Sequence, residues 1–416
     1  MTGVMAAAGL LFAPFRGLRY SEPATLALRL APPYDVINQD ERRQFARQDP
    51  ANIVHLDLPV APPGEDPYHA AADLLGIWQR RGVLVRDTEP CAYVLRTTAR
   101  LADGIERSRT GVFLAVGTVP FGPGGRVRPH EHTHAGPKED RRRLTLATGA
   151  NLSPIFLLVP DSQGQLAARL AEITAEKPWA SVEALGGRQE VWIAKGSQGL
   201  RLAMLASDAQ AYIADGHHRY ETAVMLKEEV PGPWRAGAQR TLAHVVSFQD
   251  PGLAILPTHR IVEGKALERS MVLRVANTYF SRALPGQRPA FTVVFADGSE
   301  AAMSLRPDAD LSKATELAEH PAVRALPVAL TDQVFLKLVV EHLIGRPPSL
   351  KYTPDEAAAR AAVAERRAAL TVLVPPTTLE EVRAVSDAGE FMPPKSTFFA
   401  PKVPTGVVMR LFEGEG

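Results

Sequence analysis

The sequence predicts a mixed α+β (α/β) fold built from more than one packed lobe. At 416 residues the chain exceeds what one hydrophobic core usually holds, so two or three lobes are expected. Two hairpin signals, Ala102-Asp-Gly-Ile and Ala296-Asp-Gly-Ser, each separate strand-like runs. Helix-start residues such as Asp66-Pro67 open amphipathic segments between other strand-like stretches.

Composition narrows the function classes. Hydrophobic content of 45% and charged content of 22% describe an ordinary globular protein. Lys+Arg 47 against Asp+Glu 46 leaves a net charge of +1. No global field then draws the chain to nucleic acid or an anionic membrane, although a local basic pocket remains open. The 35 prolines suggest a loop-rich chain. Cys91 is the only cysteine, which excludes intramolecular disulfides and Cys-rich zinc sites. Lying in the apolar run CAYVL, it reads as a buried strand thiol. The apolar patch Val4 to Phe15 is short and lacks a preceding basic region, so neither a signal peptide nor a membrane span is expected. A cytoplasmic location follows.

In chain order, Pro32-Pro33 force an extended approach to a loop presenting Tyr34 and Asp35. A short amphipathic helix is expected over 40–48 and a strand over 52–58. Asp66 caps a helix through Arg81 whose Leu74, Leu75 and Trp78 face the core. Strands are expected over 91–100 and 105–119. A Gly/Pro loop then leads to His130-Glu-His-Thr-His134, and a helix runs from Pro137 to about Ala147. A buried strand over 151–159, a helix over 163–176 and a hairpin of 190–194 with 200–205 follow. Beyond residue 223, strands 241–248 and 253–257 are expected to pair across Asp250-Pro-Gly, with a helix over 266–279. Residues 291–295 and 300–305 form a hairpin. Helices over 331–345 and 355–369 make the C-terminal region largely helical, the second as a solvated face, and 407–412 is a closing strand. The divisions expected are residues 1–119 as an N-terminal α/β lobe, 120–264 as the core with the chemistry, and 265–416 as a C-terminal α/β lobe whose tail returns to the site.

The stretch that organises these parts is Ala211-Tyr-Ile-Ala-Asp-Gly-His-His-Arg-Tyr-Glu-Thr-Ala223. Apolar residues run to Asp215, Gly216 permits a sharp turn, and a helix is expected from Tyr220 to Lys227. Free N–H groups at a helix start favour an anion. Two further polar clusters, His130 to Arg141 and Lys395 to Lys402, need the same explanation. Lys and Arg suit phosphate oxygens, and Asp215, Glu131 or Asp35 suits Mg²⁺. The bland readings are that Arg219 pairs with Asp215 or Glu221, that one of His217 and His218 bonds a backbone carbonyl, and that Asp35 makes a local turn bond. In an extended segment His130, His132 and His134 share one face, an arrangement able to ligate a metal.

Several familiar motifs are missing. The nearest approach to a P-loop is Gly389-Glu-Phe-Met-Pro-Pro-Lys-Ser396, where Pro394 replaces the second Gly and removes an N–H. No GxGxxG follows a strand, and GxSxG does not occur.

Taken together, PPYDVI (32–37), RPHEHT (128–133), DR (140–141), ADGHHRYETA (214–223), LPTHRIV (256–262) and STFF-PK (396–402) resemble a widespread bacterial and archaeal family catalogued as a domain of unknown function. The matches run nearly end to end. The DGHHR pentad is similar to that of the free L-serine kinases, whose fold is ParB/sulfiredoxin-like. That resemblance implies a ParB/sulfiredoxin-like core lobe embellished at both ends. It also implies nucleotide phosphate and Mg²⁺ at Asp215, His217, His218 and Arg219, with Glu131 as general base. His130, Glu131 and Thr133 match the family's HE-x-T, whereas His132 and His134 do not.

The reading that follows is a Mg²⁺-dependent kinase using ATP or ADP on a small hydroxylated metabolite, L-serine first. Its catalytic residues are Glu131, Asp215, His217, His218 and Arg219, with Asp215 and Glu131 toward the metal. Gly216, Arg219, His130, Arg141, Lys395, Ser396, Thr397 and Lys402 would hold phosphate, and Tyr34, Asp35, Thr133 and Tyr220 the substrate. The partners expected are nucleotide and small molecule, not nucleic acid or membrane. Two alternatives are a ParB-like nucleotide-binding switch without an acceptor and a metal-dependent hydrolase built on His130, His132 and His134. The kinase reading requires segments near 131, 217 and 397 to meet.

Overall fold

The computed structural model describes residues 11–121, 125–207 and 210–413. The apolar patch at Val4–Leu10 lies outside them, as do residues 122–124 of the Gly/Pro loop.

Among the described residues, nine strands form one mixed sheet. Its order is Val127–Arg128, Ala211–Asp215, Ile155–Val159, Arg240–Ser247, Glu106–Gly117, Cys91–Arg100, Gly187–Lys195 and Ala180–Ala184, with Phe12–Ala13 added on Glu106–Gly117. Arg240–Ser247 runs parallel to Ile155–Val159, whereas Ala211–Asp215 runs antiparallel to it. The central strands are apolar at consecutive positions because both faces are covered. Tyr93, Leu95 and Phe113 join one core cluster, and Ala92, Val94, Val112 and Leu114 join the other. Cys91 is buried at the start of its strand, and burial raises its thiol to about 11.

A six-stranded sheet follows in the C-terminal region, ordered Phe280–Arg282, Glu300–Leu305, Phe291–Val294, Leu370–Leu373, His259–Val262 and Leu350–Thr353. The fold is therefore α+β throughout, and the expected helical character of the C-terminal region is corrected. Its strands are only three to six residues long, too short for a clear alternation. Glu356–Ala364 is not a solvated face either, since Ala359, Ala362 and Val363 are buried beneath it. Leu330–Val340 is wound as a π-helix before Glu341–Ile344.

Other local expectations fare according to their chemistry. Asn38 closes a capping box with Glu41 at the head of Gln39–Gln48, and Asp66 accepts from the Tyr68 and His69 amides at the head of Pro67–Arg80. Both Asp-Gly hairpins form, as does the helix after His134, over Ala135–Thr148. The strand expected over 52–58 is instead the short helix Val54–Asp57, set by the Asn52 side chain accepting from the Val54 amide at 2.9 Å. The hairpin expected for 190–194 with 200–205 is absent. Gly187–Lys195 pairs with Ala180–Ala184 and Cys91–Arg100, and Gly196–Ala206 is a helix burying Leu202 and Ala203. Nor do 241–248 and 253–257 pair. Ala254–Leu256 instead takes Phe398–Ala400 as its partner, far along the chain.

That last pairing shows how the tail is routed. Met392 bridges to Glu131, Phe398–Ala400 lies on Ala254–Leu256, and Met409–Leu411 enters a small sheet between Gly17–Tyr20 and Ala150–Asn151. Arg410 fastens it from a buried position, donating to Asn151 Oδ1 at 3.2 Å and to the carbonyls of Arg240 at 2.8 Å and Gly237 at 2.7 Å. Among the described residues no helix is long and apolar enough to cross a membrane.

Candidate active site

Ala211–Asp215 ends at Gly216, whose φ of 89° turns the chain directly into the helix His217–Leu226. The helix starts three residues earlier than the sequence suggests, so the pentad itself forms its first turn. Ideal geometry for a Cβ at Gly216 would put it 3.1 Å from both Ile155 Cγ2 and Arg219 Nε. Glycine therefore answers both a left-handed backbone and a close approach. No side chain caps this helix, so its first-turn amides have no capping acceptor.

Three segments converge there. The His130 backbone N–H donates to His217 Nε2 at 3.2 Å, and the two rings meet edge to face with centroids 4.6 Å apart. His130 Nε2 lies 3.0 Å from Thr397 Oγ1, and the His130 carbonyl accepts from the Met392 amide at 2.8 Å. Lys402 Nζ contacts Asp215 Oδ2 at 3.0 Å, with Arg219 Nη2 at 3.8 Å from Oδ1. Burial on its own would raise the Asp215 carboxyl, but Lys402 and Arg219 beside it hold it well below the usual carboxylate range.

Burial disfavours the charged form of His130, His217 and His218. Burial brings His130 down to about 4 and takes His217 well below its ordinary value, with His130 adding to the second effect. His218 accepts from the His134 backbone N–H at 2.9 Å and is likewise lowered by burial. Both pentad histidines thus accept from backbone amides, where one was expected to bond a carbonyl. As acceptors at Nε2 they carry the proton on Nδ1. His130 is 0% exposed, which corrects its expected part as a phosphate ligand: it ties the segments together instead.

Glu131 is half-buried opposite Lys395. Burial raises its carboxyl, while the charge and backbone amide of Lys395 pull the other way without cancelling the rise. Lys395 holds φ of 59°, a left-handed conformation unusual for a residue with a Cβ. Ser396 and Thr397 spend their hydroxyls inside the fold, on the Pro393 carbonyl and on His130 respectively. Phe398 lies against Lys402, whose Nζ is 4.4 Å from the ring centroid.

Tyr34 links the site to a second charged group. Its ring lies 4.0 Å from the Arg141 guanidinium and 5.7 Å from that of Arg219. Burial raises its phenol to about 12. Arg219 donates to the Pro154 carbonyl, and Asp35 and Asp215 sustain its charge against the opposing effect of burial. Arg141 bonds Asp57 at 3.0 Å and Asp140 at 2.7 Å, so it stands behind Tyr34 and not over Gly216.

Other expected residues are placed elsewhere. Tyr220 is fully buried, its hydroxyl donating to the Val119 carbonyl at 2.9 Å and accepting from the Val119 amide at 3.1 Å, which makes it a core contact and not a substrate ligand. Thr133 donates to Glu221, itself 3.3 Å from Lys138, so Glu221 does not serve Arg219. The histidine triad separates: His130 packs on His217, His132 stacks on Phe391 with centroids 3.9 Å apart, and His134 faces His218. Among the described residues no group of three His, Cys, Asp or Glu is placed to hold a metal ion.

Two residues beneath the site escaped sequence reading. Asp57 hides in the segment taken for a strand. Arg109, 1% exposed in the strand Glu106–Gly117, donates to the Pro401 carbonyl at 2.5 Å and so steadies the turn before Lys402. Burial lowers its guanidinium to about 10. An arginine at an inward-facing strand position was the available signal.

A family model described as a protein of unknown function (DUF1015) matches residues 12–329. No curated protein matches the chain. Among solved structures, a free serine kinase in complex with AMP is similar at 15% identity and a TM-score of 0.35, covering 71% of this chain and 92% of that one. A conserved hypothetical protein from Pyrococcus furiosus shows 15% identity and a TM-score of 0.36, covering 72% and 94%. SbnI with a C-terminal truncation, from Staphylococcus aureus, shows 11% identity and a TM-score of 0.37, covering 70% and 85%.

Proposed function

The chain belongs to the DUF1015 family, and on that premise we propose that it is a nucleotide- and Mg²⁺-dependent kinase of a small hydroxylated metabolite, L-serine first, on a ParB/sulfiredoxin-like core. The observation that carries this reading is the uncapped helix start after Gly216, rimmed by Lys402 and Arg219 and faced by the raised carboxyl of Glu131. Fixed amides and two cations receive phosphate oxygens, and a carboxyl raised by burial is a stronger base than an exposed one.

In this reading the acceptor hydroxyl oxygen attacks the terminal phosphorus and the bond to the departing nucleotide oxygen breaks. The hydroxyl proton passes to a Glu131 carboxylate oxygen. Lys402 and Arg219 offset the charge on the transferring group, and the neutral histidines keep the walls in register without adding charge. Asp215 and Glu131, close enough for the Asp215 charge to raise the Glu131 carboxyl, would be the residues to hold Mg²⁺. When bound, the ion would supply further neutralisation of phosphate charge.

Incubation of the protein with Mg²⁺, ATP or ADP, and L-serine, read by mass spectrometry, is expected to yield O-phosphoserine. No phosphorylated product from any common nucleotide with a panel of hydroxy amino acids would remove the proposal. Saturable nucleotide binding without turnover would favour the switch reading instead. The hydrolase reading has no converging histidines behind it.

A further inference from the structure

A second pocket opens on the other side of Arg141. It has a volume of about 220 Å³ and is walled by Ile37, Leu58, Pro59 and Tyr68, with Arg42 and Arg141 at its polar edge. The turn Tyr34–Val36 leads straight into Ile37, so a single aromatic ring, Tyr34, separates this pocket from Arg219.

Arg42 sets the pocket apart. Its Nε donates to the Leu58 carbonyl at 3.0 Å, but among the described residues it has no carboxylate partner. Burial lowers its guanidinium, and no neighbouring charge offsets that. Arg19, Arg29, Arg141 and Arg260 pair with Asp87, Asp49, Asp57 and Asp332, whereas Arg42, like the buried Arg109, bonds a backbone carbonyl and, among the described residues, no carboxylate. A partly desolvated cation without a carboxylate partner, against apolar and aromatic walls, suits a flat ring. The guanidinium can lie on the ring's face or donate to its nitrogens and carbonyls.

We infer that this pocket receives the base of a nucleotide whose phosphates lie at the His217 helix start. The inference rests on the kinase reading and names the end of the ligand which that reading leaves free. Size supports a base over a whole ligand, since the volume falls below the range typical of pockets that enclose a drug-sized molecule. Position supports a base over the acceptor, whose hydroxyl must sit beside Glu131 on the near side of Tyr34.

The test titrates ADP into the full chain and into three variants. Val60 lines the pocket and is 67% exposed, so Val60→Trp fills the space without disturbing the core. Val60→Trp is expected to weaken ADP binding at least tenfold, and Arg42→Ala severalfold. Lys402→Ala serves as the phosphate-end control and weakens it too. An unchanged ADP affinity in both pocket variants, with loss in Lys402→Ala, would overturn the inference while leaving the kinase reading in place. No ADP binding by the wild-type chain would overturn both. As a check independent of folding in the variants, photolysis of bound 8-azido-ADP on wild-type protein is expected to label peptides within 37–42 or 58–68. Labelling confined to other peptides would overturn the assignment.

Discussion

Glu131 and Asp215 show one physical chemistry running in two directions at the residue scale. Burial penalises both carboxylates, but Asp215 has Lys402 at 3.0 Å, whereas Lys395 does not cancel the rise at Glu131. Glu131 must be deprotonated to take the hydroxyl proton, so transfer should fall as pH drops through its raised value, in a limb above the ordinary Glu range. Glu131→Gln should abolish that limb and reduce transfer by roughly 10²–10⁴-fold while ADP still binds. It should also raise the unfolding midpoint at neutral pH, because a neutral amide escapes the burial penalty. Asp215 has the opposite sign. Its depressed value contributes stability above the unfolded carboxyl range, and that contribution is lost as pH falls through the folded value. Lys402→Met should remove most of it, at about 2 kcal/mol in chemical denaturation. That is below the cost for a fully buried pair, since the two side chains are 20% and 16% exposed.

The strand–Gly–helix unit from Ala211 to Leu226 was legible as an element because its signals are local: apolar residues to Asp215, a glycine, then polar groups. The helix start was misjudged by three residues, since nothing in Gly-His-His-Arg resembles a side-chain cap. Gly216→Ala should cost roughly 1–2 kcal/mol from its φ of 89° alone and weaken ADP binding by shifting Arg219. Lys395 offers the converse test. Lys395→Gly relieves a left-handed backbone and should stabilise the fold by about 1 kcal/mol, yet weaken nucleotide binding by removing a cation beside Glu131. A variant that becomes more stable and less competent would mark the strain as functional. The hairpin misjudged at 190–205 failed for a general reason. Gly196–Ala206 is apolar enough to read as a strand, and only its packing against neighbours decides for helix.

Across the whole molecule, the site depends on contacts between residues hundreds of positions apart. The sequence displayed the three polar clusters but not the sheets that join them. The pairing of Ala254–Leu256 with Phe398–Ala400 and the buried Arg410 are long-range facts with no local signature. Asp57 was likewise hidden, because its value lies in Arg141 and not in its own neighbours along the chain. Arg410→Ala would strand the carbonyls of Arg240 and Gly237 and should cost about 3 kcal/mol, with ADP affinity retained wherever the variant stays folded. The most direct test of the central claim is a crystal structure of the protein with ADP and Mg²⁺. The account predicts phosphate oxygens within hydrogen-bonding distance of the first-turn amides after Gly216 and of Lys402. Phosphates bound elsewhere, with that helix start facing only solvent, would contradict it.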